Sequence, residues 1–180
     1  MRRALLVIDV QRALFERMPR PYEADEVVDR INALTARARD VGMPVVFIQH
    51  ETSRGRLAFN ADGWQLASRL VVAEGDVRVR KTTPDSFLRT NLAELLAGWG
   101  IGHLTICGYA SEYCVDSTTR RALALGFPVT LVADAHTTHD AAHANGAAIR
   151  AHENVTLANL ESFGPRIEAK VTRDVVFEAA

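Results

Sequence analysis

The sequence predicts a protein of the α/β class, built on a parallel β-sheet. Short apolar runs rich in β-branched residues alternate along the chain with longer segments of helical periodicity, which is the pattern of strands joined by crossover helices. Apolar residues predominate in most of these runs, which indicates strands covered by helices on both faces. The chain has 180 residues, of which 48% are hydrophobic and 24% charged. We therefore expect a single domain with a sizeable core over residues 1–180.

The predicted strands and helices follow one another in regular order. The strands are expected at residues 4–8, 45–48, 76–80, 103–107 and 129–133, with a last short strand at either 155–157 or 175–177. The helices are expected at residues 22–41, 92–98, 115–125 and 140–152, with a short helix within 63–70. The first helix has one continuous apolar face, and Gly42 with Pro44 ends it.

Charge and cysteine content argue against several classes of function. The formal net charge is −1 at pH 7, so nothing favours a nucleic acid or an acidic membrane surface as partner. No apolar run approaches the roughly 20 residues that span a bilayer. The first run ends at Asp9, too soon for a signal peptide. The two cysteines lack paired spacing, which indicates a reducing, cytoplasmic setting.

Cys114 lies where the fourth predicted strand gives way to a helix. Small-molecule sites form at this end of the strands in open α/β sheets. Ser111 suits a helix N-cap, which would place Cys114 in the first helical turn. There the positive end of the helix dipole would favour thiolate over thiol. The alternative is a buried cysteine with a purely structural role, since free cysteines are among the most buried residues.

Several residues that directly follow predicted strands carry reactive groups. They are Asp9, His50, Lys81, the segment 108–114 and Asp134. The carboxyl ends of parallel strands share one edge of the sheet. A thiolate nucleophile needs a base to take its proton and a cation to stabilise it, and Asp9 and Lys81 supply these roles if they flank Cys114. The alternatives are a cap or structural salt bridge for Asp9 and a solubilising edge lysine for Lys81.

Three motifs, in this order, resemble the signatures of the isochorismatase-like cysteine hydrolases. They are Ile8-Asp9-Val10-Gln11, Lys81 with Ser86-Phe87 behind it, and Gly108-Tyr109-Ala110-Ser111-Glu112-Tyr113-Cys114-Val115. The match continues, over residues 4–160 in all, with Thr118, Ala122, Gly126 and Val132-Ala133-Asp134-Ala135. Each motif alone is weak evidence, but the ordered set is specific.

The resemblance implies a fold, a mechanism and an assembly. The fold is a three-layer α/β/α sandwich around a six-stranded, mainly parallel sheet. The catalytic triad is Asp9, Lys81 and Cys114, with a thioester formed on the cysteine. A non-proline cis peptide joins Tyr109 to Ala110, and the backbone amides of Ala110 and Cys114 form an oxyanion hole. The family tends to form homodimers or homotetramers, which we expect here as well.

The expected activity is hydrolysis of a small amide or ureido C–N bond other than a peptide bond. The main alternative is hydrolysis of an isochorismate-type vinyl ether, which is acid-catalysed and would leave the Cys114 thiol idle. A thiol redox protein would need Cys107, the only other cysteine, as resolving partner. A catalytically silent binding module is the last alternative, and the complete set of Asp9, Lys81 and Cys114 argues against it.

The expected substrate is a small molecule, held in a mostly apolar pocket at the same edge of the sheet. The candidate contacts are Gln11, Phe15, His50, Trp64, Phe87 and Tyr109. Ordinary packing is an equally good interpretation for the aromatic members of this set. The polar segment 51–65 gives no indication of which substrate is bound.

No metal and no other cofactor is expected. Some relatives bind a metal through an Asp-x-His element after the second strand, but here Ile48 occupies the aspartate position before His50. His139 and His143, which follow Asp134 and His136, would share one face of the predicted helix 140–152, as in a metal site. Surface or capping roles are the better interpretation, because the flanking residues are alanines.

Overall fold

The protein is built on one six-stranded parallel sheet with the strand order β3-β2-β1-β4-β5-β6. The computed structural model describes residues 1–178. The strands are β1 (Arg2–Ile8), β2 (Val45–His50), β3 (Val77–Lys81), β4 (Ile101–Tyr109), β5 (Val129–Thr137) and β6 (Ile167–Lys170). The helices are α1 (Arg12–Phe15), α2 (Ala24–Asp40), α3 (Leu92–Gly98), α4 (Asp116–Ala124) and α5 (Gly146–Ala158). Single turns of 3-10 helix lie at Asp62–Trp64 and Thr172–Asp174, and a π-helical turn spans Ser111–Val115.

The sheet separates two hydrophobic cores, one on each face. Successive residues of β1 alternate between them, with Leu5 and Val7 in the first core and Leu6 and Ile8 in the second. The first core is completed by the apolar face of α2, and the second by apolar residues of α3, α4 and α5. This arrangement is the three-layer α/β/α sandwich that the resemblance implies.

The two central strands approach each other closely at Gly108. This residue of β4 lies opposite Ile8 of β1 and has a φ of +118°, which favours glycine. A Cβ atom at this position would lie 2.1 Å from the Ile8 carbonyl oxygen. The missing side chain therefore lets the end of β4, with the turn that follows it, lie directly beside the end of β1.

A bulge interrupts β5 next to this point. Ile106 pairs with Leu131 and Gly108 pairs with His136, so two steps along β4 correspond to five along β5. The bulge is held by Asp134, whose carboxylate accepts hydrogen bonds from the amide and hydroxyl of Thr172, both at 2.7 Å. As a result, β5 continues to Thr137 instead of ending at residue 133, and it places His136 beside Gly108.

The last strand and the last helix differ from the prediction. Residues 155–157 belong to α5, residues 175–177 form no strand, and the sixth strand is Ile167–Lys170. This edge strand is half polar and short, so no apolar run marks it. The helix predicted at 140–152 begins at Gly146, because the Asn145 side chain caps it by accepting from the amide of Ala148.

Residues 1–178 include no helix that is both long and apolar enough to cross a membrane.

Candidate active site

Asp9, Lys81 and Cys114 meet at the carboxyl edge of the sheet. The Lys81 Nζ atom lies 2.7 Å from Asp9 Oδ2 and 3.2 Å from Cys114 Sγ. The side chains of Lys81 and Asp9 are buried, and Cys114 is partly exposed. The structure thus brings the three residues of the predicted triad together, with Lys81 in contact with both of the others.

Asp9 is held in an unusual backbone conformation just after β1. Its φ is +52°, in the left-handed region that residues other than glycine adopt uncommonly. Its amide donates to the Ile48 carbonyl at 2.8 Å, and its carbonyl accepts from the Gln11 amide at 2.9 Å. These hydrogen bonds to β2 and to the following turn stabilise the unusual backbone conformation and so hold the carboxylate at the strand end.

The Lys81 ammonium group is surrounded by four acceptors. Besides Asp9 and Cys114, it contacts the Thr83 carbonyl at 3.1 Å and His50 Nδ1 at 3.2 Å. An ammonium group only donates, so His50 Nδ1 accepts and the ring proton lies on Nε2. Burial, together with the Lys81 charge, lowers the pKa of His50. The neutral ring therefore belongs to the shell that fixes the Lys81 amino group.

Cys114 is a thiol at rest, not the thiolate that a helix dipole was expected to favour. Burial raises the pKa of the thiol to about 12. The negative charge of Asp9 raises it further, while the positive charge of Lys81 opposes this effect. The cysteine also lies in the π-helical turn, where Ser111 makes no capping bond. The nucleophile must consequently be generated by proton transfer to a base.

The same residues do not fit a metal ion. Asp9, His50 and Cys114 each offer a ligand atom, and these atoms lie within 4.8 Å of one another. Lys81 Nζ lies within 3.2 Å of all three and so takes the position of a cation among them. The position of the Lys81 amino group therefore argues against a metal ion bound by these three residues.

Gln11 is engaged by the protein at both ends of its side chain. Its Nε2 atom donates to the carbonyls of His50 at 3.0 Å and Trp64 at 2.8 Å, and its Oε1 atom accepts from the His50 amide at 2.9 Å. The residue is completely buried. Gln11 therefore joins β2 to the turn at Trp64 and presents no free amide to a ligand.

Two aromatic candidates pack into the cores. Phe15 is buried in the first core, 6.0 Å from the ring of Tyr109. Phe87 belongs to the second core and stacks on Phe127 at 6.2 Å. The packing interpretation accounts for both positions, and a substrate contact by either stays a prediction.

Trp64 belongs to a tightly held loop. Its buried ring meets Phe59 edge-on at 5.1 Å, and the Arg80 guanidinium lies 3.7 Å from the centre of the Phe59 ring. Arg80 also forms two hydrogen bonds to the Glu51 carboxylate. The indole Nε1 atom is buried without a hydrogen-bond partner among the described residues. Trp64 thus retains one donor that the protein leaves free.

Tyr109 and His139 form the far side of the same edge. The half-buried Tyr109 hydroxyl lies 2.8 Å from His139 Nδ1, and His139 Nε2 lies 3.0 Å from the Pro19 carbonyl. Because a carbonyl only accepts, the ring proton lies on Nε2 and the tyrosine donates. Burial raises the pKa of Tyr109 to about 12. His139 and His143 precede α5 rather than lying on it, so the helical chelating pair is wrong.

The turn between β4 and the nucleophile has the backbone that the resemblance implies. The peptide bond between Tyr109 and Ala110 is cis. The Ala110 carbonyl accepts from the amides of Tyr113 at 3.1 Å and Val115 at 3.0 Å. These bonds fold the chain back on itself and bring the Ala110 and Cys114 amides into one compact turn.

The two cysteines lie on opposite faces of the sheet. Cys107 is completely buried in the first core, and its thiol lies 3.5 Å from the Leu6 carbonyl. Cys114 packs against the second core. Burial raises the pKa of Cys107. The prediction that Cys107 is a core residue is confirmed, and it cannot approach Cys114.

Sequence reasoning missed three groups at this site. The Thr83 carbonyl, the His136 ring and the Asn154 amide all lie in or next to the shell around the triad. His136 carries the one available signal, because it follows an apolar strand at the same sheet edge. A backbone carbonyl and an asparagine within an amphipathic helix give none.

Comparison with known proteins identifies the family of this chain. The model of the isochorismatase domain matches residues 3–161. The chain therefore belongs to the isochorismatase family.

Individual relatives agree with this assignment. Streptothricin hydrolase of Streptomyces noursei is 42% identical over 138 residues, which are 76% of this chain and 50% of that protein. Ureidoacrylate amidohydrolase of Klebsiella pneumoniae is 29% identical over 168 residues, covering 76% of this chain and 67% of the relative. A crystal structure of an isochorismatase family protein is 33% identical, with a TM-score of 0.85 over 93% of this chain and 96% of that one. The chain spans about half the length of the streptothricin hydrolase it matches.

Proposed function

We propose that this chain is a cysteine-dependent hydrolase that cleaves the C–N bond of a small amide or ureido compound through a thioester on Cys114. The observation that carries the proposal is the position of Lys81 Nζ, 2.7 Å from the Asp9 carboxylate and 3.2 Å from the Cys114 thiol. A nucleophile and a base held beside one cation are the parts that acyl transfer needs. The names of streptothricin hydrolase and ureidoacrylate amidohydrolase support a hydrolytic function.

Asp9 is the base in this mechanism. Its Oδ2 atom binds Lys81, while its Oδ1 atom is buried without a partner among the described residues. Oδ1 is therefore free to take the thiol proton as the sulfur attacks the substrate carbonyl carbon. Because the thiol pKa is about 12, this transfer accompanies attack instead of preceding it. Lys81 stabilises the negative charge that develops on the sulfur.

The remaining steps use the same groups. The backbone amides of Ala110 and Cys114 donate to the oxyanion that forms when the S–C bond forms. Asp9 returns its proton to the substrate nitrogen, the C–N bond breaks, and ammonia or an amine leaves. A water molecule then gives a proton to Asp9 and attacks the thioester. The S–C bond breaks, the acid is released, and the sulfur recovers its proton from Asp9.

Substrate contacts are proposed for the two partly exposed rings at this edge, those of His50 and Tyr109. Trp64 is 6% exposed and its indole N–H is buried, so we propose it as a wall of the pocket. We also keep the homodimer or homotetramer as a prediction, which sedimentation measures directly.

The other candidate functions fit the contacts less well. Vinyl ether hydrolysis needs no thiol, whereas here Lys81 contacts the Cys114 thiol at 3.2 Å and an Asp9 carboxylate oxygen lies within 4.8 Å of it. A dithiol redox cycle needs two cysteines in reach of each other, and the sheet lies between Cys107 and Cys114.

The proposal is tested by turnover of a panel of small amides, ureido acids and cyclic amides, with release of acid and of ammonia or amine measured together. Cys114→Ala removes the nucleophile, and Cys107→Ala is the matched control that removes the buried thiol. We expect loss of turnover in the first variant only. Equal turnover in correctly folded Cys114→Ala would reject the thioester mechanism.

A further inference from the structure

A buried hydrogen-bond network of polar side chains runs from α5 to the nucleophile turn, and the proposed mechanism does not use it. Ser111 Oγ lies 2.8 Å from His136 Nδ1, and His136 Nε2 lies 2.9 Å from Asn154 Oδ1. Ser111 and His136 have no exposed surface. Burying polar groups destabilises a protein unless each group has a hydrogen-bond partner, so this network needs an explanation.

The donor and acceptor of each hydrogen bond in this network follow from the chemistry of its side chains. Asn154 Nδ2 donates to the Ala133 carbonyl at 2.9 Å, so Oδ1 is the atom that faces His136. An amide oxygen only accepts, which places the ring proton on His136 Nε2. Nδ1 therefore carries a lone pair and accepts from the Ser111 hydroxyl. All the hydrogen bonds of the network are therefore donated in one direction, from the nucleophile turn towards the backbone of β5.

The histidine stays neutral in this position. Burial lowers the pKa of His136 to about 4, and the nearby charges of Arg150 and Asp134 act in opposite directions on it. His136 is thus an acceptor for Ser111 throughout the neutral pH range.

Ser111 is the first residue of the π-helical turn that carries Cys114. Its hydroxyl cannot reach a substrate, because the residue is completely buried. It does not cap the turn either. The bond to His136 is the contact of its side chain, and it ties the start of the turn to β5, next to Ala110 and three residues before the nucleophile.

We propose that His136, held by Asn154, is a positioning residue that fixes the Cys114 turn through the Ser111 hydroxyl. The β5 bulge is the device that turns His136 toward this hydroxyl, since it shifts the register until His136 lies opposite Gly108. The part of this inference that concerns catalysis rests on the proposed function. The part that concerns structure, that the Ser111 hydroxyl holds the turn in place, does not depend on any substrate.

The experiment compares Ser111→Ala, which removes the hydroxyl, with Ser111→Thr, which retains it. The rate of alkylation by iodoacetamide is measured separately for Cys114 and Cys107 by peptide mass spectrometry, as a function of pH. In Ser111→Ala we expect faster alkylation of Cys114 near neutral pH, because a loosened turn exposes the thiol and lets its pKa fall towards its ordinary value. Alkylation of Cys107 should not change, and Ser111→Thr should behave like the wild type.

Turnover provides the second readout. A displacement of about 1 Å in a reacting group costs about 10²-fold in rate. We therefore expect kcat to fall by about tenfold to a hundredfold in Ser111→Ala and in His136→Gln, with KM nearly unchanged. His103→Gln is the matched control, because His103 is a partly buried histidine of β4 that bonds to Thr130 at 2.9 Å, at the other end of the strand.

Wild-type alkylation of Cys114 in folded Ser111→Ala would overturn the proposal. A parallel rise at Cys107 would also overturn it, because that result means general loosening of the fold and not of one turn. If no substrate is found, the alkylation rates still decide the question, so failure of the proposed function is distinguishable. If His136→Gln does not fold, the two Ser111 variants suffice.

Discussion

The Lys81 amino group reaches Asp9 across an intervening strand. Lys81 ends β3 and Asp9 follows β1, and β2 lies between them in the sheet. The Nζ to Oδ2 distance is 2.7 Å, with both side chains buried. His50, at the end of β2, accepts a hydrogen bond from the same amino group. Three adjacent parallel strands thus deliver a carboxylate, an imidazole and an ammonium group to one point beside Cys114.

Removing one member of this ion pair should cost more than removing both. Lys81→Met leaves the Asp9 carboxylate buried without its cation, a situation that destabilises proteins by about 3–5 kcal/mol. The double variant with Asp9→Asn removes the unpaired charge, so its free energy of unfolding should be higher than that of Lys81→Met alone. Urea denaturation of the two single variants and the double variant measures this coupling. Strictly additive losses would mean that the pair is not coupled.

Asp9→Asn should change thiol reactivity and turnover in opposite directions. The Asp9 charge raises the pKa of Cys114, so its removal lowers that pKa and increases the thiolate fraction at neutral pH. Iodoacetamide should then alkylate Cys114 faster than in the wild type. Turnover should fall by at least about 10²-fold, because the proposed general base is lost. A slower alkylation rate in the folded variant would contradict the assigned direction of this interaction.

The close approach of β4 to β1 makes Gly108 the most sensitive glycine of the site. Gly108→Ala places a Cβ atom 2.1 Å from the Ile8 carbonyl oxygen at a φ of +118°. We expect a loss of several kcal/mol or failure to fold. Gly126→Ala is the matched control, since its φ is +93° but no atom lies within 4 Å of the added carbon. That change should cost only about 1–2 kcal/mol, the price of the left-handed conformation. Comparable losses in the two variants would show that the contact with β1 is not the cause.

Stability should decrease as the pH falls from 6.5 towards 4. Burial lowers the pKa of His136 from 6.5 to about 4. Between these two pH values the unfolded protein binds a proton at His136 and the folded protein does not. Stability therefore rises with pH here and is fully present above pH 6.5. The shift corresponds to on the order of 3 kcal/mol. Burial lowers the pKa of His103 to about 4 as well, so His136→Gln should reduce the slope of unfolding free energy against pH without abolishing it. An unchanged slope would contradict burial of a neutral His136 ring.

The triad could be predicted from the sequence because it depends on strand ends. Asp9 and Lys81 directly follow predicted strands and Cys114 lies in the turn after another, and parallel strands place these positions on one edge. In the structure Lys81 contacts both Asp9 and Cys114. The same rule also marked His50, which contacts Lys81.

The support of the nucleophile turn could not be predicted in the same way. Ser111 suited an N-cap by residue type, but its hydroxyl bonds to His136. That bond depends on a bulge of β5, in which Asp134 contacts Thr172, a residue distant in the sequence. Local propensity has no access to such a contact, and for the same reason the polar strand β6 was missed.

The central claim is that Cys114 carries an acyl group during turnover. The most direct measurement is the intact mass of the wild-type protein, quenched with acid at short times during reaction with an amide that it hydrolyses. Cys107→Ala and Cys114→Ala are run in parallel. We predict an increase equal to the acyl group of the substrate in the wild type and in Cys107→Ala, absent from Cys114→Ala and removable by hydroxylamine. Turnover without any such adduct, at a rate that Cys114→Ala retains, would contradict the account.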